Sequence, residues 1–166
     1  MPENPTRPRR RSLAPLLGAA GLTILLDGCG PSVTPMDPAR AQAHYQQVVE
    51  DLIATMDSVR PLGWAPEGAL TDQPVKGGAC SYDPGRWATA EGHHLYPAPG
   101  EGIDWEPWRT ALDPVLSRHG FTKLSREKRS GGYFFLTGTD QHGAELRLVA
   151  RGILEIHGAQ LSGRTC

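Results

Sequence analysis

FTKLSREKRSGGYFFLTGTDQHGAELRLVARGILEIHGAQL, residues 121–161, alternates apolar and polar side chains with a period of two. An extended chain points successive side chains to opposite faces, so each alternating run reads as a half-buried strand. Four strands are predicted: Phe121–Glu127, Tyr133–Gly138, Ala144–Ala150 and Ile153–Leu161. In the third, Glu145 and Arg147 oppose Leu146 and Leu148. In the fourth, Ile153, Glu155 and His157 face away from Leu154 and Ile156. Ser130-Gly131-Gly132, Asp140–Gly143 and Arg151-Gly152 are turns between them, short enough for consecutive hairpins. An antiparallel meander follows.

Upstream the period changes to 3.6. Asp37-Pro38 opens a helix, because aspartate accepts orphan backbone N–H groups and proline is tolerated at the first helical position. Ala41, Tyr45, Val48, Val49, Leu52, Ile53, Met56 and Val59 form its apolar face, and Pro61 stops it. A second helix, Trp105–His119, is capped by Asp104 and ended by Gly120, with a kink or break expected near Leu112–Asp113 because Pro114 lies inside it. The fold class is therefore α+β: two helices packed on one face of a meander-like antiparallel sheet of about four to five strands, a two-layer sandwich. Between the helices, residues 62–102 are broken by proline and glycine, with short strands expected at Ala79–Tyr82 and Trp87–Ala90.

The N-terminus has a different character. Arg9-Arg10-Arg11-Ser12 precedes an apolar run, Leu13–Leu26, followed by Asp27-Gly28-Cys29. A basic cluster, an apolar core and a small residue are the parts of a secretory signal. The 14-residue run would span roughly 21 Å as a helix, short of the ~30 Å hydrocarbon core. A cysteine directly after small Gly28 makes the signal a bacterial lipobox, with Cys29 the lipidated first residue after cleavage. The expected organisation is a lipoprotein signal peptide at 1–28, a membrane tether at 29–36 and one α+β domain at 37–166. Its expected address is the extracytoplasmic face of the cell membrane. Arg10-Arg11-Ser12-Leu13 also resembles a twin-arginine export signal.

Removal of residues 1–28 leaves 13 Lys+Arg against 16 Asp+Glu, a charge of −3. Such a mildly acidic domain offers no basic field for nucleic acid. With Cys29 assigned to lipid, Cys80 and Cys166 remain, an even pair in an oxidising compartment. One disulfide is the economical reading and would contribute about 4–5 kcal/mol as an upper figure, given its long loop. Two free thiols, or Cys80 as a nucleophile, are the alternatives.

Several features have a characteristic order: lipobox, tether, long helix, Trp64, Cys80, a tryptophan-led second helix ending His119-Gly120-Phe121, the Asp140–Leu146 turn and strand, and a terminal cysteine. This order resembles the LppA-type lipoproteins of mycobacteria and related actinobacteria, over essentially the whole processed chain. Members are envelope lipoproteins without an assigned activity. The resemblance thus implies address, fold and the Cys80–Cys166 disulfide, and no catalytic residue. Asp27 and the long Pro/Gly-rich middle depart from that pattern.

No catalytic constellation or cofactor motif stands out. His93-His94 would project to opposite faces of a strand, and no further ligand has zinc-site spacing, so no metal is expected. No G-x-S-x-G elbow is present, and Glu101, Asp104 and Glu106 are explained by helix capping and the helix dipole. The aromatics Trp64, Tyr82, Trp87, Tyr96, Trp105 and Trp108 have two readings. They pack the helices onto the sheet, or together they line a groove for an envelope lipid, glycan or protein partner. The function expected is a lipid-anchored, non-catalytic binding or structural module. The alternative is an envelope enzyme, hydrolase-like, whose site is assembled only in three dimensions.

Overall fold

The computed structural model describes residues 32–67, 72–74, 79–91, 93–96 and 102–165. The expected signal peptide at 1–28, Cys29, Cys166 and parts of the Pro/Gly-rich middle lie outside the described residues. Helix α1, Pro38–Val59, starts as its sequence dictates: Asp37 Oδ1 accepts from the N–H groups of Ala39 at 3.0 Å and Arg40 at 3.2 Å. Ala41, Tyr45, Val48, Val49, Leu52 and Met56 of the apolar face are buried. Helix α2 spans Glu106–Arg118 and runs on through Pro114, so the break expected near Leu112–Asp113 does not occur. Burial of Leu112, Val115 and Leu116 on either side of the proline favours continuity, and Asp113 turns outward to accept from Leu124 N at 2.9 Å. No helix among the described residues is long and apolar enough to cross a membrane.

The class is α+β, with more strands than the periodicity implies. Among the described residues nine strands form two antiparallel sheets: β1 (Ala65–Pro66), β2 (Asp72–Pro74), β3 (Ala79–Tyr82), β4 (Gly85–Ala88), β5 (Lys128–Ser130), β6 (Tyr133–Thr139), β7 (Glu145–Val149), β8 (Ile153–His157) and β9 (Ala159–Thr165). The larger sheet has six strands in the order β1-β4-β8-β7-β6-β5, and the smaller has the order β2-β3-β9. Strands β6 to β8 are three strands of the expected meander, β5 is an edge strand that was not expected, and β1 and β4 come from the Pro/Gly-rich middle and extend the sheet. β4 lies two residues earlier than Trp87–Ala90, where its pairing with β8 sets the register.

Two differences have local causes. Phe121–Glu127 is not a strand, because hydroxyls compete with the ladder: Thr122 Oγ1 accepts from Thr139 N and Ser125 Oγ from Thr137 N, both at 3.0 Å. Only Phe121 forms a bridge, to Asp140, and β5 takes the edge position instead. The run Ile153–Leu161 divides at Gly158, whose φ of +83° turns the chain out of one sheet and into the other.

Cross-strand rows give the six-stranded sheet two unlike faces. Leu136, Leu148, Leu154 and Trp87 lie in register on one, and Thr137, Arg147, Glu155 and Arg86 on the other. The leucines join the α1 and α2 side chains in one hydrophobic core. On the polar face Arg86 Nε lies 2.8 Å from Glu67, and the Arg147 guanidinium sits 3.9 Å above the Phe135 ring. Within the stretch 29–36 expected as a tether, backbone hydrogen bonds hold Thr34 and Met36 to the domain. Thr34 N donates to Gln141 O at 2.9 Å, and Met36 exchanges bonds with β9, donating to Gln160 O and accepting from Ser162 N at 2.8 Å.

Candidate functional site

The six aromatics do not gather on one surface. Trp105 and Trp108 are only 5% and 3% exposed and belong to the core, which corrects their place in a groove. The apolar face of α2 needs the largest available cover, and its tryptophans lie on that face. Trp105 Nε1 still finds a partner, donating to Glu127 Oε2 at 2.8 Å. Trp64, Tyr82, Trp87 and Tyr96 are half-buried against the core. Tyr82 and Trp87 share a shallow depression of about 270 Å³ with the Gln42–Glu50 side of α1. Tyr96 stacks on His94, centroids 4.7 Å apart, and lines a separate and larger cleft.

That cleft, about 550 Å³, is built by the β5–β6 hairpin, the β7–β8 turn, Tyr96 and the segment before α2. Gly131 and Gly132, with φ of +55° and +80°, form a two-residue hairpin turn, and β6 begins directly after it with Tyr133-Phe134. Those rings remain 40% and 38% exposed. Each is overlaid by a guanidinium: Arg151 lies 5.1 Å from the Tyr133 centroid and Arg129 4.6 Å from that of Phe134. Arg151 is placed by the tight β7–β8 turn, where Gly152 takes φ +82° and a Cβ would meet Thr89 Oγ1 at 2.1 Å. Ile103 and Ala150 add apolar wall, and Glu127 adds a carboxylate, the one among the described lining residues. Exposed π-faces carrying fixed positive charge suit a ligand with a flat or apolar body and an acidic group.

A second concave place lies where α1, the end of α2 and the β6–β7 turn meet. His44 stands between His119, centroids 5.9 Å apart, and His142, 6.2 Å away. Below them Tyr45, fully buried, donates to Asp140 Oδ2 at 2.7 Å, and Asp140 Oδ1 accepts from the N–H groups of His142 and Ala144. His119 Nε2 pairs with Asp51 Oδ2 at 2.8 Å. Burial and the Asp140 hydrogen bond push the Tyr45 hydroxyl pKa upward. Hydrogen bonds from His119 and Gln47 lower that of Asp51. Burial, reinforced by His119, His142 and Arg40 and opposed by Asp140, holds the His44 imidazole below its ordinary value of 6.5.

The sequence-singled histidines His93 and His94 do not converge; their Nδ1 atoms face the carbonyls of Leu62 and Arg151 respectively. Among the described residues no group of three or more His, Cys, Asp or Glu is placed to hold a metal ion. Sequence reasoning missed both concave places. Three consecutive aromatics, Tyr133-Phe134-Phe135, were the available signal for the cleft, since a strand cannot bury all of them on one face. His44, His119 and His142 share no spacing that could have joined them. Comparison of the chain with family models, with curated proteins and with solved structures gives no match.

Proposed function

We propose that this chain is a lipid-anchored lipoprotein of the cell envelope, similar to the LppA-type group, whose domain is a non-catalytic binding module. In this reading residues 1–28 are the cleaved signal, Cys29 carries the lipid, and both helices cover one face of the six-stranded sheet as a two-layer domain. The observation that carries the binding role is the cleft in which Tyr133 and Phe134 stay exposed, each under an arginine. An envelope lipid or glycan bearing an acidic group fits that chemistry. Export is supported by the disulfide at fully buried Cys80, a bond that persists in oxidising compartments. Cys166 is its proposed partner: the β3–β9 register sets Thr165 opposite Ala79, each the sequence neighbour of one cysteine.

Native mass spectrometry of the protein purified from the source envelope tests the binding role. A co-purified mass that Tyr133→Ala and Phe134→Ala both remove is expected; a bare wild-type mass overturns it. The address is tested separately, since Cys29→Ser should move the protein out of the membrane fraction. For the bridge, Cys80→Ser and Cys166→Ser should each lower stability by about 2–4 kcal/mol, with the double variant no worse than either.

A further inference from the structure

The histidine pocket, a hollow of about 370 Å³, is walled by Arg40 and His44 of α1, Arg118 and His119 at the end of α2, and Gln141 and His142 of the β6–β7 turn. All six carry nitrogen donors or cationic groups. The two carboxylates that touch the cluster are already committed: Asp51 accepts from His119 and Gln47, and Asp140 from Tyr45, His142 and Ala144. His142 Nδ1 donates to the Thr34 carbonyl at 2.6 Å, which fixes that ring. His44 Nε2, by contrast, is buried without a hydrogen-bond partner. A buried nitrogen left without a partner is costly, and a ligand oxygen would supply one. A cation is disfavoured by the two arginines, and no metal-holding group is formed there among the described residues.

We propose that this pocket binds a phosphate group, with Arg40 and Arg118 supplying fixed charge and His44 Nε2 donating once its ring is protonated. The phosphate is either free or the headgroup phosphate of an anionic lipid. The lipid source rests on the anchoring read from Cys29: Thr34 is five residues further on, so a chain reach of at most ~18 Å separates a lipidated Cys29 from the residue that His142 holds. His44 faces His119, His142, Arg40 and Asp140, and only Asp140 favours its charged form. A bound oxyanion reverses that balance, so binding takes up a proton and strengthens as pH falls.

Residues from Ser32 onward belong to one compact unit, so the Cys29→Ser protein beginning at residue 29 is the sample. Sodium phosphate is titrated at pH 6.0 and constant ionic strength, with the ring signals of the three histidines read by NMR. Saturating shifts are expected, with the dissociation constant raised at least about fivefold in Arg118→Gln, an exposed site that leaves the core intact. Sulfate, whose charge is constant over the range, should bind at least about fivefold more tightly at pH 5.5 than at 7.5. Equal shifts with sodium chloride, or phosphate shifts that Arg118→Gln leaves unchanged, overturn the pocket. Co-sedimentation with phosphatidylglycerol–phosphatidylcholine vesicles, lost in Arg118→Gln, supports the lipid source. Phosphate binding without sedimentation overturns that source and leaves free phosphate. Neither readout uses the lipid on Cys29, so failed anchoring and a failed pocket give separate results.

Discussion

The aromatic cleft and the histidine pocket recognise by different means. In the cleft, guanidiniums lie over π-faces, so its character is set by shape and fixed charge. In the pocket, the balance of charge moves with the protonation of His44, whose ring lies between those of His119 and His142. The first is supported by two tight turns whose glycines no other residue replaces without strain. The second is supported by one part-buried carboxylate, Asp140, on which three hydrogen bonds converge. A hairpin defines the first locally, whereas the second exists only once the helices are docked.

The largest expected effect breaks one place and spares the other. Asp140→Ala removes the acceptor of a buried tyrosine and of two backbone N–H groups, and should cost about 3 kcal/mol in urea denaturation. The histidine signals should move while those of Tyr133 and Phe134 stay. Gly152→Ala is the converse. It forces a side chain into φ +82° and against Thr89, and should cost about 2 kcal/mol. It should displace Arg151 and weaken the cleft's co-purified ligand.

Acidification should sharpen the contrast. Because the folded His44 pKa lies below its unfolded value of 6.5, the unfolded chain binds a proton that the folded chain resists. The stability tied to His44 is therefore complete above about pH 6.5 and is lost as pH falls through the folded value. Urea midpoints at pH 7.5, 6.5 and 5.5 should decline less in His44→Gln than in the wild type, and phosphate should offset the decline. The smallest effect belongs to the cleft. Arg129→Ala should cost about 0.5–1 kcal/mol, for an exposed cation–π contact, with no change between those pH values.

How much of this was legible depended on how far apart the deciding contacts lie. The α1 start at Asp37, the alternation of Leu146 and Leu148 with Glu145 and Arg147, and the glycine turns all follow from neighbours a few residues apart. The structure agrees with each. The pairing of β4 with β8 joins Trp87 to Leu154, and no local period encodes it. Thr122 and Ser125 carried a signal that the apolar alternation around them concealed, since their hydroxyls satisfy β6 backbone groups a ladder would have used. The cleft was half legible in Tyr133-Phe134-Phe135. The pocket was not, because His44 and His142 lie far apart in the chain and meet only in the folded protein, where their neighbours Tyr45 and Asp140 share a hydrogen bond.

The two margins of the six-stranded sheet have a further consequence. One is β5, Lys128-Arg129-Ser130, fully exposed and doubly cationic; the other is β1, two residues long and ending in Pro66, which has no N–H to offer. Strand addition from another molecule meets repulsion at the first and almost no template at the second. Chains held at high density on a surface collide sideways far more often than in solution. These two borders let such neighbours jostle without zipping into a continuous ribbon.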